Sequence, residues 1–175
     1  MTTTSPTTGT TEPTGTSFWA VAAEPHTTPA ATTLRRAYYA EVAGRYWGRL
    51  ATEEEVDEGM LQDPGDDLVP PSGVFLVGRY EGRPAACAGL RMLDPQTAEL
   101  TRVYVDPALR GTGGGAALLA ALDGEARQRG AARIRLDTRT DLVEARALYA
   151  RHGYREIPAY NAGPYAQHWF EKPVR

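Results

Sequence analysis

The sequence is short of the residues that build disulfide frameworks, metal sites and nucleic-acid surfaces. One cysteine, Cys87, excludes an intrachain disulfide, and with three scattered histidines it leaves no metal-ligand spacing. Its setting, Pro84-Ala85-Ala86-Cys87-Ala88-Gly89-Leu90, predicts a small buried residue with no neighbouring base to activate a thiol. A basic excess is also missing. With 19 Lys+Arg against 22 Asp+Glu, the chain offers no electrostatic footprint for nucleic acid or an anionic membrane surface. Apolar runs of membrane-spanning length are absent, as are the basic and apolar regions of a secretory signal. These absences predict a cytoplasmic protein whose partner is a small molecule.

What is present begins with a Thr-rich stretch. Residues 1–17 carry too little apolar area to offset their ordering entropy and are expected to be a disordered leader, followed by one domain over 18–175. A strand is expected over 18–23. Leu34, Ala37, Tyr38 and Val42 then recur at helical spacing up to Gly48, and Thr52 with Glu55 forms a capping box for a second, acidic helix. Strands over 74–80, 83–93 and 98–105, joined by tight turns, form an antiparallel meander. After a glycine loop, Leu118, Leu119, Leu122 and Ala126 mark one face of a helix over 114–129, and a right-handed crossover places the strand 133–137 parallel to 98–105. Asp141 with Glu144 is read as the cap of a last helix ending at His152-Gly153, and short strands over 154–157 and 167–172 flank an aromatic loop. His152 sits where a helix dipole favours it. The fold class is α/β (α+β): a mixed, mostly antiparallel sheet of about seven strands with helices on both faces.

The run Arg110-Gly111-Thr112-Gly113-Gly114-Gly115 stands between a strand and a helix. Glycines bring bare backbone amides to a helix N-terminus, where the dipole adds positive charge, so a phosphate fits there. Ala116 and Ala117 follow where a P-loop needs Lys and Ser/Thr, which excludes that nucleotide site. A dinucleotide fingerprint fits Gly111 to Ala116 literally, with Asp137 as the ribose partner. However, Asp106-Pro107 inserts a turn of its own before the loop, and too little chain follows for a second half-sheet.

Three segments together resemble the GNAT superfamily of acyl-CoA-dependent N-acyltransferases. They are Ala98-Glu99-Leu100-Thr101-Arg102-Val103-Tyr104-Val105-Asp106-Pro107, the loop Arg110 to Gly115 matching [QR]-x-x-G-x-[GA], and Ala145-Arg146-Ala147-Leu148-Tyr149-Ala150-Arg151-His152-Gly153-Tyr154. The resemblance covers roughly residues 74–172. One departure is Leu142, where many members carry an Asn seven residues before the helix Tyr.

The resemblance implies transfer of an acetyl group from acetyl-CoA directly to a small-molecule amine, without a metal. It implies that Arg110, Gly111, Thr112, Gly113, Gly114, Gly115 and Ala116 take the pyrophosphate. The pantetheine arm would pair with the strand at Val103, Tyr104 and Val105, one of whose amides polarises the thioester. Tyr149 would protonate the departing thiolate; alternatively it is a core aromatic. Glu99 would deprotonate the amine through water, with Tyr104 as the substitute; alternatively it is a solvated strand residue. His168, Tyr160 and Tyr165 fall near the family's acceptor groove. Glu53, Glu54, Glu55, Asp57, Glu58, Asp63, Asp66 and Asp67 read either as a solvated face or as a negative edge that gathers a cationic acceptor. A non-catalytic acyl-CoA sensor and an NAD(P)-binding oxidoreductase are the competing readings, and a homodimer is left open.

Overall fold

The computed structural model describes residues 18–175, so the expected leader lies outside the described residues. Strand β1 (Trp19–Ala23) precedes α1 (Pro29–Trp47) and α2 (Glu53–Gln62). The meander β2 (Gly73–Tyr80), β3 (Arg83–Asp94) and β4 (Thr97–Val105) follows. A short 3-10 turn (Pro107–Leu109) then leads to α3 (Gly114–Gln128), β5 (Arg133–Thr138), α4 (Val143–Arg151), β6 (Arg155–Ile157) and β7 (His168–Pro173). The strands form one sheet of order β1-β2-β3-β4-β5-β7-β6, parallel only between β4 and β5.

Local chemistry accounts for the helix ends. Thr28 caps α1 through Ala31, Pro29 opens the first turn, and Gly48 at φ 67° closes it. Both bonds of the Thr52/Glu55 capping box form on α2. The expected Asp141/Glu144 cap does not form. Leu142 occupies the cap position of α4 without a side-chain bond, because Asp141 pairs with Arg139 and Glu144 with Arg45.

Strand alternation divides the interior into two layers. Val74 and Leu76 of β2 face α3, meeting Leu118, Leu119, Leu122 and Ala126, while Tyr149 of α4 joins the same cluster. Phe75 and Val77 face α1, meeting Ala31, Leu34 and the buried Cys87. Burial pushes the Cys87 thiol up to about 12, in keeping with an inert core residue.

Two glycines of the loop are packing residues as well. A Cβ on Gly114 would stand 2.6 Å from Trp19 Cζ2, and one on Gly115 would stand 2.9 Å from Leu148 Cδ2. Gly114→Ala is therefore expected to lower stability by about 1–3 kcal/mol, since Trp19 must shift. In the same helix a Cβ on Gly124 meets nothing within 4 Å, so Gly124→Ala should stabilise by about 0.5–1 kcal/mol. Denaturant midpoints of the two variants check the opposite signs.

Candidate active site

The sheet opens where β4 and β5 part. Their ladder runs only from Thr97↔Arg133 to Glu99↔Arg135, leaving the β5-facing edge of β4 open over residues 100–105. Beside this opening β4 is bulged: Arg102 has φ 53°, and the β3 register shifts between Gly89↔Thr101 and Cys87↔Tyr104. An open edge of this kind can accept an extended ligand as an added strand.

The edge leads to the glycine loop. Gly111 (φ 82°) and Gly113 (φ 98°) adopt left-handed conformations that favour glycine, and a Cβ on either would meet nothing within 4 Å. Gly113 is the N-cap of α3 and supplies no side-chain cap, so the first helical amides point out without an intrahelical acceptor. The dipole, the bare amides and the open loop fit a pyrophosphate, and the open β4 edge fits a pantetheine arm. Thr112 Oγ1 accepts from Trp19 Nε1 at 3.0 Å and donates to the Leu109 carbonyl, which fixes the loop on β1. Arg110 is engaged rather than free. Its Nη2 lies 2.8 and 2.6 Å from the Glu41 carboxylate oxygens, and its Nε donates to the Val105 carbonyl.

A cavity of about 310 Å³ lies in the gap, walled by Tyr38 of α1, Asp63 after α2, Arg91 of β3, Glu99 to Arg102 of β4, and Asp137 of β5. Glu99 is 4% exposed, yet both oxygens are bonded. Oε1 accepts from Arg91 Nε at 2.9 Å and Nη2 at 2.5 Å, and Oε2 from the Tyr160 hydroxyl at 2.8 Å. Burial opposes the Arg91 charge, but the carboxylates of Asp67 and Glu99 outweigh it and hold its pKa above the ordinary range. Burial, and then the Glu99 charge, raises the Tyr160 hydroxyl.

Asp137 is solvent-accessible and lies two residues beyond the last β5 position paired with β4. Its Oδ2 accepts from Asn161 Nδ2 at 2.7 Å. Packing of protein around the carboxyl, together with the nearby Glu99 charge, raises its pKa. Tyr149 is 6% exposed, with its ring edge-on to Tyr154. Burial raises its hydroxyl, with a lesser contribution from Asp137, so it keeps its proton well above neutral pH.

Several expected residues stand elsewhere. Tyr104 packs against the Ala31/Leu34 cluster, away from the cavity wall, and burial raises its hydroxyl. His168 bridges Thr140 Oγ1 (3.0 Å) and Glu156 Oε1 (2.7 Å), so both ring nitrogens are occupied outside the cavity wall. His152 lies where expected, at the end of α4, its Nδ1 2.8 Å from the Leu148 carbonyl. Tyr165 stacks edge-on with Tyr46. Much of the acidic run is tied to arginines: Glu53 and Asp57 pair with Arg36, Glu55 with Arg49, Asp63 with Arg102 and Asp67 with Arg91. Glu54 and Glu58 stay exposed without an ion pair among the described residues, and Asp66 lies 3.6 Å from His26. Sequence reading gave no site role to Arg91, Arg102 or Tyr38, which come from three separate elements and meet only in the folded chain, although Arg102 lies within the Ala98 to Pro107 segment.

Among the described residues, no grouping of His, Cys, Asp and Glu could hold a metal ion, and no helix is long and apolar enough to cross a membrane.

Solved structures share this architecture. A GNAT-family acetyltransferase from Staphylococcus aureus superposes with a TM-score of 0.71 at 15% identity, covering 90% of this chain and 99% of that one. A GNAT-family acetyltransferase from Elizabethkingia anophelis, solved with acetyl-CoA bound, gives 0.62 at 15% identity, covering 91% and 100%. The fold is that of the acetyltransferases. Residues 31–154 match the family described as Acetyltransferase (GNAT) family, and the chain belongs to it. An uncharacterized N-acetyltransferase of Mycobacterium tuberculosis is 32% identical over 88 residues, 50% of this chain and 56% of that protein. The chain thus spans about half the length of the curated relatives it matches. The mixed, largely antiparallel sheet and the family match remove the NAD(P)-oxidoreductase reading.

Proposed function

We propose that the protein is an N-acetyltransferase that passes the acetyl group of acetyl-CoA to a primary amine of a small molecule. The observation that carries the reading is the open β4 edge, residues 100–105, running into a glycine loop at the N-terminus of α3. The amides of Gly111 and Gly113 to Ala116 would hold the pyrophosphate, with the α3 dipole assisting. The backbone of Val103 to Val105 would hold the arm, and an amide there would polarise the thioester carbonyl. Such a donor is commonly worth about 3–4 kcal/mol at a transition state.

The neutral amine attacks the carbonyl carbon, a C–N bond forms and the C–S bond breaks. The proton lost by the amine goes through water toward Glu99, and the thiolate takes one from Tyr149. Arg110 would reach the phosphate only on leaving Glu41. Loss of charge in Glu99→Gln should lower kcat/KM about tenfold below neutral pH. The deficit should shrink as the pH rises and more of the acceptor is already neutral. Superimposable pH profiles would transfer the base role to another group.

Release of free thiol from acetyl-CoA across a panel of amines tests the whole reading. Amine-dependent release supports it. A CoA-induced rise in melting temperature with no release from any amine would leave an acyl-CoA sensor.

A further inference from the structure

We infer that Asp137 is the residue that selects the acceptor: it receives the single ammonium of a small amine that carries no carboxylate, displacing the Asn161 amide. This rests on the acetyl-transfer reading and adds the substrate class to it. The same nitrogen gives one proton to bulk water to become the neutral amine, and the second through water toward Glu99 as the C–N bond forms. The inference follows from how charge is matched around the cavity. Arg91 faces both Asp67 and Glu99, and Arg102 faces Asp63, so each cation of the wall already has a carboxylate. Asp137 differs. Among the described residues, no arginine, lysine or histidine forms an ion pair with it, the Arg91 charge acting on it only from beyond contact, although it is accessible and lines the cavity.

What Asp137 does have is a neutral N–H donor. Asn161 Oδ1 accepts from Trp169 Nε1 at 2.8 Å, and an indole nitrogen can only donate. The Asn161 NH₂ group must therefore turn toward Asp137, 2.7 Å away. It stands where an ammonium N–H would stand, and an ammonium bonds a carboxylate more strongly than an amide does. The same loop sends the Tyr160 hydroxyl to Glu99 while its ring lies 5.3 Å from the Arg135 guanidinium carbon. Residues 160 and 161 thus cover both carboxylates on this side of the gap.

The charge balance also sets what is rejected. A carboxylate on the acceptor would need a guanidinium fork, and those of Arg91 and Arg102 are spent on carboxylates already in the wall. An amino acid would bring a second negative charge toward Asp137 and Glu99 with no partner for it. A polycation gains little either. Along α2, Glu53, Glu55 and Asp57 are bound to Arg36 and Arg49, and the exposed Glu54 and Glu58 lie outside the cavity wall, away from the acceptor held at Asp137.

The test compares matched pairs that differ by one carboxylate, phenethylamine with phenylalanine and isoamylamine with leucine, plus spermidine as the polycation. Thiol release is read for the wild type, Asp137→Asn and Asp137→Glu. In the wild type each amine should exceed its amino acid, and spermidine should show no advantage over the monoamines. Asp137→Asn, nearly isosteric, should reduce kcat/KM for the amines by about 10- to 100-fold, mainly through KM. The amino acids should lose less, so the preference narrows, while the KM for acetyl-CoA stays within about twofold. Asp137→Glu, which restores the charge, should recover much of the preference. Amino acids used as well as amines by the wild type, spermidine preferred over both, or an Asp137→Asn enzyme with unchanged preference would each overturn the assignment while acetyl transfer stands. No thiol release with any acceptor would overturn acetyl transfer itself, and this inference with it.

Discussion

Gly113→Glu should abolish stabilisation by CoA while leaving the unliganded protein folded. A ligand present at 100 times its Kd stabilises by about 2.7 kcal/mol, which for a domain of this size is a rise of roughly 5–10 °C in melting temperature. The glutamate removes that rise for two reasons. Its carboxylate sits at the N-terminus of α3, where the first amides lack a cap, and so takes the place that the phosphates need. It also repels them. The fold loses less, because a Cβ there meets nothing within 4 Å, and the cost is confined to a φ of 98°, about 1–3 kcal/mol for a side chain in that region. That loss is offset in part by the favourable charge at the helix N-terminus. Gly113→Ala shares the backbone cost without the charge and should retain part of the CoA shift. An undiminished CoA shift in the glutamate variant would move the phosphate site off this loop.

The fold was legible where neighbours in sequence do the physical work. The Thr52/Glu55 box, the Gly48 stop, the three-strand meander and the parallel crossover all depend on contacts within a few residues or on chain handedness, and all form. The Asp141/Glu144 cap failed because the same local signal met stronger partners from afar. Arg45 comes from α1, and Arg139 is held by the Val42 carbonyl, so both carboxylates turn outward to guanidinium groups instead of to amides.

The candidate site shows the same division. The glycine run was legible as a turn into a helix N-terminus, but its division of labour was not. Gly111 and Gly113 supply conformation, whereas Gly114 and Gly115 make room for Trp19 and Leu148, which lie 95 and 33 residues away in sequence. Charge was the least legible quantity. The acidic run of α2 looks like an open face in one dimension, but folding lays Arg36 and Arg49 against Glu53, Glu55 and Asp57, and the carboxylate of the cavity wall without an ion pair among the described residues is Asp137 on β5. A sequence gives the sign of each side chain and not its partner, and the partner decides whether a carboxylate is a structural tie or a ligand.

Tyr149→Phe should lower kcat by on the order of tenfold to a thousandfold, as for loss of a general acid, with CoA affinity nearly unchanged. The substitution is clean because the ring has a packing role independent of its hydroxyl. It lies 5.6 Å from the Tyr154 ring and 6.3 Å from Phe170, contacts that phenylalanine keeps, so the melting temperature should move little. The sign of the pH effect separates an acid from a core aromatic. Burial raises the Tyr149 pKa above the ordinary tyrosine value, so the proton is present throughout the neutral range and is lost only at strongly alkaline pH. A wild-type enzyme that uses this proton should therefore fall in kcat at the alkaline end, and the variant should show a lower but flatter limb there. The size of the loss should also depend on the leaving group. A more acidic thiol leaves without help, so an acetyl thioester of an aromatic thiol should narrow the difference between the two enzymes, whereas a damaged fold would slow both donors alike. Wild-type kcat in Tyr149→Phe with acetyl-CoA would return the residue to the core and leave the thiolate to take its proton from water.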